Sequence, residues 1–134
     1  MSARRLLAII ELGGYPDFTP LYRQLGFSVE VCASMRKALA SIKRQPPDVI
    51  VCEFNFQSDF RDRTSSLESM IALVQRTPGI QTLVIMEPEH RKQFGRIKGR
   101  YDFHAALELP VTEAQMEQAL GIEPHALSQS ESVR

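Results

Sequence analysis

Short apolar runs alternate along the chain with stretches whose apolar residues recur every three or four positions. Leu6 to Ile10 is almost continuously apolar, as expected of a strand covered on both faces, and the turn glycines Gly13-Gly14 follow. Asp17 to Leu25 carries Phe18, Leu21, Tyr22 and Leu25 at helical spacing. Gly26 supplies its stop, and Pro16 and Pro20 keep its start short or irregular. Phe27, Val29, Val31 and Ala33 then alternate with Ser28, Glu30 and Cys32, which predicts a strand with one wetter face. Ser34 is a good N-cap for a helix with the apolar stripe Met35, Ala38, Leu39 and Ile42. Arg36, Lys37, Lys43 and Arg44 face water on that helix, and Pro46-Pro47 ends it. A buried strand from Asp48 to Phe54 follows, and it ends in a single carboxylate, Glu53.

The stretch from Asn55 to Thr64 is polar and longer than most connections in compact domains. Ser65 and Glu68 form a capping box opening a helix with Leu67, Met70, Ile71 and Val74 on one side, and Thr77-Pro78-Gly79 breaks it. Thr82 to Met86 is a fourth apolar strand. Pro88 suits the first turn of a polar helix running to about Lys98, thinly anchored by Phe94 and Ile97. Phe103 to Leu109 is a fifth strand, stopped by Pro110. Thr112 caps a last helix carrying Ala114, Met116, Ala119 and Leu120, ended by Gly121. Strict alternation of strands and helices predicts an α/β parallel sheet covered on both faces, with right-handed crossovers. One domain is expected over residues 1–121, with 122–134 a flexible polar tail.

At 134 residues the chain is long enough for one continuous core. Its 16 basic and 16 acidic residues cancel, so no global field recruits nucleic acid or an anionic membrane. The basic residues are scattered, apart from short pairs such as Arg4-Arg5, Arg36-Lys37 and Lys43-Arg44. Cys32 and Cys52 fall in predicted strands and read as small buried hydrophobes. The first twelve residues lack a signal-peptide pattern, and no apolar stretch approaches the roughly 20 residues of a membrane helix. The expected compartment is the cytoplasm. His90 and His104 have no cysteine or carboxylate at ligand spacing, His90 reads as solvated, and Gly13-Gly14 fits no phosphate-loop pattern. No cofactor and no metal are expected. The one ionic alternative is a meeting of Glu11, Glu53 and Glu87 at neighbouring strand ends.

With Asp48 to Phe54 as third strand and Leu109-Pro110 closing the fifth, the chain resembles the receiver domains of two-component response regulators. The resemblance implies a CheY-like, flavodoxin-like doubly wound sheet of order 2-1-3-4-5, with the site at the strands' carboxyl ends. A working receiver needs an acidic pair to hold Mg²⁺, an aspartate nucleophile, a hydroxyl for the phosphoryl oxygen, and a lysine before the last proline. Carried onto this chain, those positions are Ile10 and Glu11, Glu53, Met86 and Leu109, with Ala106 where an aromatic usually swings inward. Glu53 is one methylene longer than aspartate, which displaces its carboxylate by about 1.5 Å. Reaction geometry is sensitive at that scale. The resemblance therefore implies a degenerate pseudo-receiver.

The loop after Glu53 lacks the proline and glycine of receivers and carries Phe54, Phe56 and Phe60 among charges, reading as a partner-binding element or a lid. The face that receivers use for partners carries Arg91, Phe94, Tyr101 and Phe103, again residue types enriched in binding hot spots. The expected function is a stand-alone, phosphorylation-independent pseudo-receiver, not an enzyme, that docks on a protein partner or a second copy. Two alternatives come from other classes. One is small-molecule or divalent-metal sensing in a cleft made apolar by Ile10, Met86 and Leu109. The other is an acid–base enzyme using Glu11 and Glu53, for which no nucleophile or anion hole is at hand.

Overall fold

Parallel strands β1 (Arg4–Ile9), β2 (Phe27–Cys32), β3 (Val49–Phe54), β4 (Gln81–Met86) and β5 (Ala105–Glu108) form one sheet in the order β2-β1-β3-β4-β5. Helices α1 (Thr19–Gln24), α2 (Met35–Arg44), α3 (Ser66–Val74), α4 (Arg91–Lys98) and α5 (Glu113–Gly121) connect or follow them, with a 3-10 turn, Pro88–His90, ahead of α4. The alternation predicted a parallel sheet, and its doubly wound order is the one that the resemblance implied. The computed structural model describes residues 4–11, 13, 15–54, 66–77, 79–98 and 103–121. The predicted tail, 122–134, lies outside them, as does Ser65 of the capping box.

Successive residues of a strand face opposite sides, so the central strands feed two core layers. Leu7, Ile9, Ile50, Cys52, Phe54, Val84 and Met86 pack with Met35, Ala38 and Ile42 of α2, Met70 and Ile71 of α3, and Phe94 of α4. Leu6, Ala8, Val49, Val51, Leu83 and Ile85 pack with Leu21 and Tyr22 of α1 and Met116, Ala119 and Leu120 of α5. Both cysteines are free and buried, as read from the sequence. Among the described residues no helix is long and apolar enough to cross a membrane.

Local chemistry sets the helix ends. The Ser34 side chain accepts the Lys37 N–H at 3.2 Å. Thr112 and Gln115 satisfy one another reciprocally: the Gln115 N–H donates to Thr112 Oγ1 at 3.1 Å, and the Thr112 N–H to Gln115 Oε1 at 2.9 Å. Asp17 accepts the Thr19 N–H at 3.0 Å, and Pro20 lies in the first turn of the short α1.

Two expectations need correction. β2 lies at the sheet edge, where burial depends on the helix above each residue. Cys32 is buried beside Met35, whereas Val31 is 51% exposed, the reverse of the simple alternation. Phe94 anchors α4 as read from the sequence: it is 3% exposed, with ring centroids 5.4 Å from Phe54 and 5.0 Å from Phe103. His90 is half-buried and edge-on to Phe54 at 6.2 Å, not on a solvated face. His104 is half-buried and reaches the Ala119 carbonyl at 3.0 Å.

Candidate functional site

In an open α/β sheet, ligands bind beyond the carboxyl ends of the strands where the strand order reverses. Here that point lies between β1 and β3, which are adjacent. Glu53, the penultimate residue of β3, stands there and is only 5% exposed. A carboxylate withdrawn from water needs donors. Two come from the β1–α1 loop, the Gly13 N–H at 3.0 Å and the Tyr15 hydroxyl at 2.6 Å, both to Oε2.

Each donor has a local reason to be where it is. Gly13 has φ +72°, a conformation that glycine enters without steric cost and that aims its N–H at β3. The Tyr15 ring lies near-parallel to buried Phe18, with centroids 6.3 Å apart. Packing fixes the ring, and the hydroxyl reaches the carboxylate. The 2.6 Å separation is that of a charge-assisted O–H···O⁻ bond. Burial first, and then the bond to Glu53, push the Tyr15 phenol well above its ordinary range.

That shift has a defined sign. The folded chain holds the Tyr15 proton more tightly than the unfolded chain, so the linked stability is complete below the ordinary tyrosine value of about 10. It is lost as pH rises beyond that value toward the raised folded one. Tyr22, pushed up chiefly by burial, acts in the same direction. Denaturant melts from about pH 9 to about pH 11 should therefore show falling stability, with a shallower fall in Tyr15→Phe. An unchanged slope in that variant would refute the assignment to Tyr15.

Glu11 follows β1, and much of the residue is exposed. Burial of its carboxyl raises its pKa, the Met35 N–H at the start of α2 opposes this, and the charge of Glu53 raises it further. Glu87 is exposed at the end of β4. Among the described residues no three His, Cys, Asp or Glu side chains are grouped to hold a metal ion, so the carboxylate trio is not assembled.

The other positions carried over from receivers divide between the two layers. Register pairs Glu53 with Ile85 and Phe54 with Met86, and Met86 packs with Phe54 on the α2 side of the sheet. Leu109 packs against the opposite layer and Ile10 is half-buried, so Ile10, Met86 and Leu109 do not line one apolar cleft. The Leu109-Pro110 peptide is cis. Ala106 is exposed on β5.

The docking candidates fare unevenly. Phe94 is core, a correction: its ring is held between Phe54 and Phe103 and is unavailable to a partner. Phe103 is half-buried against it. Arg91 is exposed, but forks onto Glu108 with N–O distances of 2.5 and 2.7 Å. Phe56, Phe60 and Tyr101 lie outside the described residues. Sequence reasoning gave Tyr15 no role. The available signal was a hydroxyl just after the first strand, next to the position where a third-strand carboxylate must end.

Sheet order, helix placement and a carboxylate at the end of β3 together describe the CheY-like receiver architecture. A response regulator receiver domain protein from Clostridium thermocellum is similar, with a TM-score of 0.70, 14% identity, and coverage of 98% of this chain and 99% of that one. A CheY-like receiver domain from Methylobacillus flagellatus has a TM-score of 0.67 at 20% identity, covering 89% of this chain and 97% of its own. The chemotaxis protein CheY4 of Vibrio cholerae has a TM-score of 0.68 at 17% identity, again with 89% and 97% coverage. At these identities the likeness is one of fold. No protein-family model and no curated protein sequence matches the chain.

Proposed function

We propose that this chain is a phosphorylation-independent pseudo-receiver that works in signalling by docking on a protein partner, not by catalysis. One observation carries the reading. The carboxylate at the acceptor position is buried and already accepts hydrogen bonds from Gly13 and Tyr15. A nucleophile must present a free oxygen in line with its electrophile, with cations to offset the phosphoryl charge. Glu53 has one oxygen committed to two donors. Leu109 stands where a lysine would pair with phosphate, and Met86, where a hydroxyl would bind it, is turned into the core. The scaffold of a switch is present, and its capture chemistry is replaced by internal bonds. What remains is a folded body with exposed helix residues, suited to recognition.

Incubation with acetyl phosphate and Mg²⁺, or with beryllofluoride and Mg²⁺, should leave both the intact mass and the melting temperature unchanged. A phosphoryl adduct on Glu53, or a melting shift dependent on beryllofluoride, would overturn the proposal.

A further inference from the structure

Two basic pairs in the sequence, Arg36-Lys37 and Lys43-Arg44, are spaced seven residues apart, close to two helical turns. α2 gathers them onto a single face. All four side chains are exposed, with the small, exposed Ala40 between the pairs. α2 contains no acidic residue, and since the chain's acids and bases cancel, this concentration is local. Among the described residues, two anions lie at its margins. Glu30 is 3.7 Å from Arg44 but also serves Arg5 and Ser41, and Glu11 takes the Met35 N–H.

Helix stability does not account for the arrangement. Lys43 and Arg44 suit the last turn of α2, but Arg36 and Lys37 sit in the first, where the helix dipole disfavours cations. Local rules are broken mainly where a site is being served. We infer that the outer face of α2 docks an acidic helix of a partner protein, with carboxylate pairs at the same seven-residue spacing. This rests on the protein-docking reading above and gives that partner a chemistry.

Other anions fit less well. A membrane-surface helix needs large apolar side chains beside its cations, and this face offers Ala40. Nucleic acid draws affinity from many phosphates and from stacking on aromatics. This face spans only about 11 Å over two turns, and α2 has no aromatic residue. A helix bearing carboxylates at the same period matches it in length and charge.

The test uses a synthetic helical peptide with glutamate pairs seven residues apart, and a scrambled peptide of identical composition. The paired peptide should bind at least about tenfold more tightly at low salt, and lose affinity as salt screens the contact. Combined Arg36→Glu and Lys43→Glu should weaken binding tenfold or more, whereas Lys92→Glu with Arg96→Glu on α4 should not. The melting temperature of the α2 variant should stay close to that of the parent, because the acid placed in the first turn gains what the acid placed in the last turn loses. Equal binding of the two peptides, equal loss in the α4 variant, or tighter binding of duplex RNA or phosphatidylserine vesicles would overturn the inference. Phosphoryl uptake would sink the pseudo-receiver reading without altering this titration, so the two fail separately.

Discussion

Phe94→Ala is expected to lower stability by about 3–5 kcal/mol, the range for removing a buried aromatic ring. For a domain of this length that corresponds to a melting temperature lower by roughly 12–20 °C, taking about 4 °C per kcal/mol. Phe94 is 3% exposed and touches the Phe54 and Phe103 rings, so truncation opens a cavity where β3, α4 and the approach to β5 meet. Phe94→Leu should recover most of the loss by keeping apolar volume. An exposed docking residue would behave differently, since truncation there usually shifts stability by no more than about 0.5 kcal/mol. A chemical-denaturation midpoint within that margin would show that the ring is not core.

The second large effect belongs to the carboxylate at the end of β3. Tyr15→Phe removes one of its donors and should cost about 1.5–3 kcal/mol, the usual worth of a hydrogen bond to a charged group. The ring stays, so packing on Phe18 is kept and the change isolates the hydroxyl. In a Glu53→Gln background the same substitution should cost less, because the bond is then between neutral groups and about half as strong. A double-mutant cycle should yield a coupling of about 0.5–3 kcal/mol, whereas strict additivity would mean that the contact carries no energy. Freeing the carboxylate should not restore phosphoryl uptake: Tyr15→Phe, treated with acetyl phosphate, should keep its mass. An adduct in that variant would mean that the hydroxyl alone blocks a competent site.

The contrast between these two positions shows where sequence reasoning held. Glu53 was placed at a strand end by the run Val49 to Phe54, because a fully buried strand writes its boundaries in consecutive residues. Tyr15 was not placed against it. The two are 38 residues apart, and nothing local to Gly13-Gly14-Tyr15-Pro16 says which way the hydroxyl faces. Phe94 was seen as an anchor and also offered as a docking residue, since an aromatic on a polar helix suits either role. Phe54 and Phe103 decided between them. The basic pairs of α2 were set apart from the scattered basic residues and placed facing water, but given no partner. Their common face follows once Met35 to Arg44 is known to be one uninterrupted helix.

By itself, the order of apolar runs and turn residues determined five strands, five helices and a parallel sheet with a carboxylate at the end of its third strand. Those features depend on neighbours a few residues away, through side-chain periodicity and capping. The tertiary structure alone decided that Glu53 is closed off by Tyr15 and Gly13, that Phe94 and His90 turn inward, and that Arg91 is spent on Glu108. Each is a contact between segments distant in the chain, settled only when the layers pack.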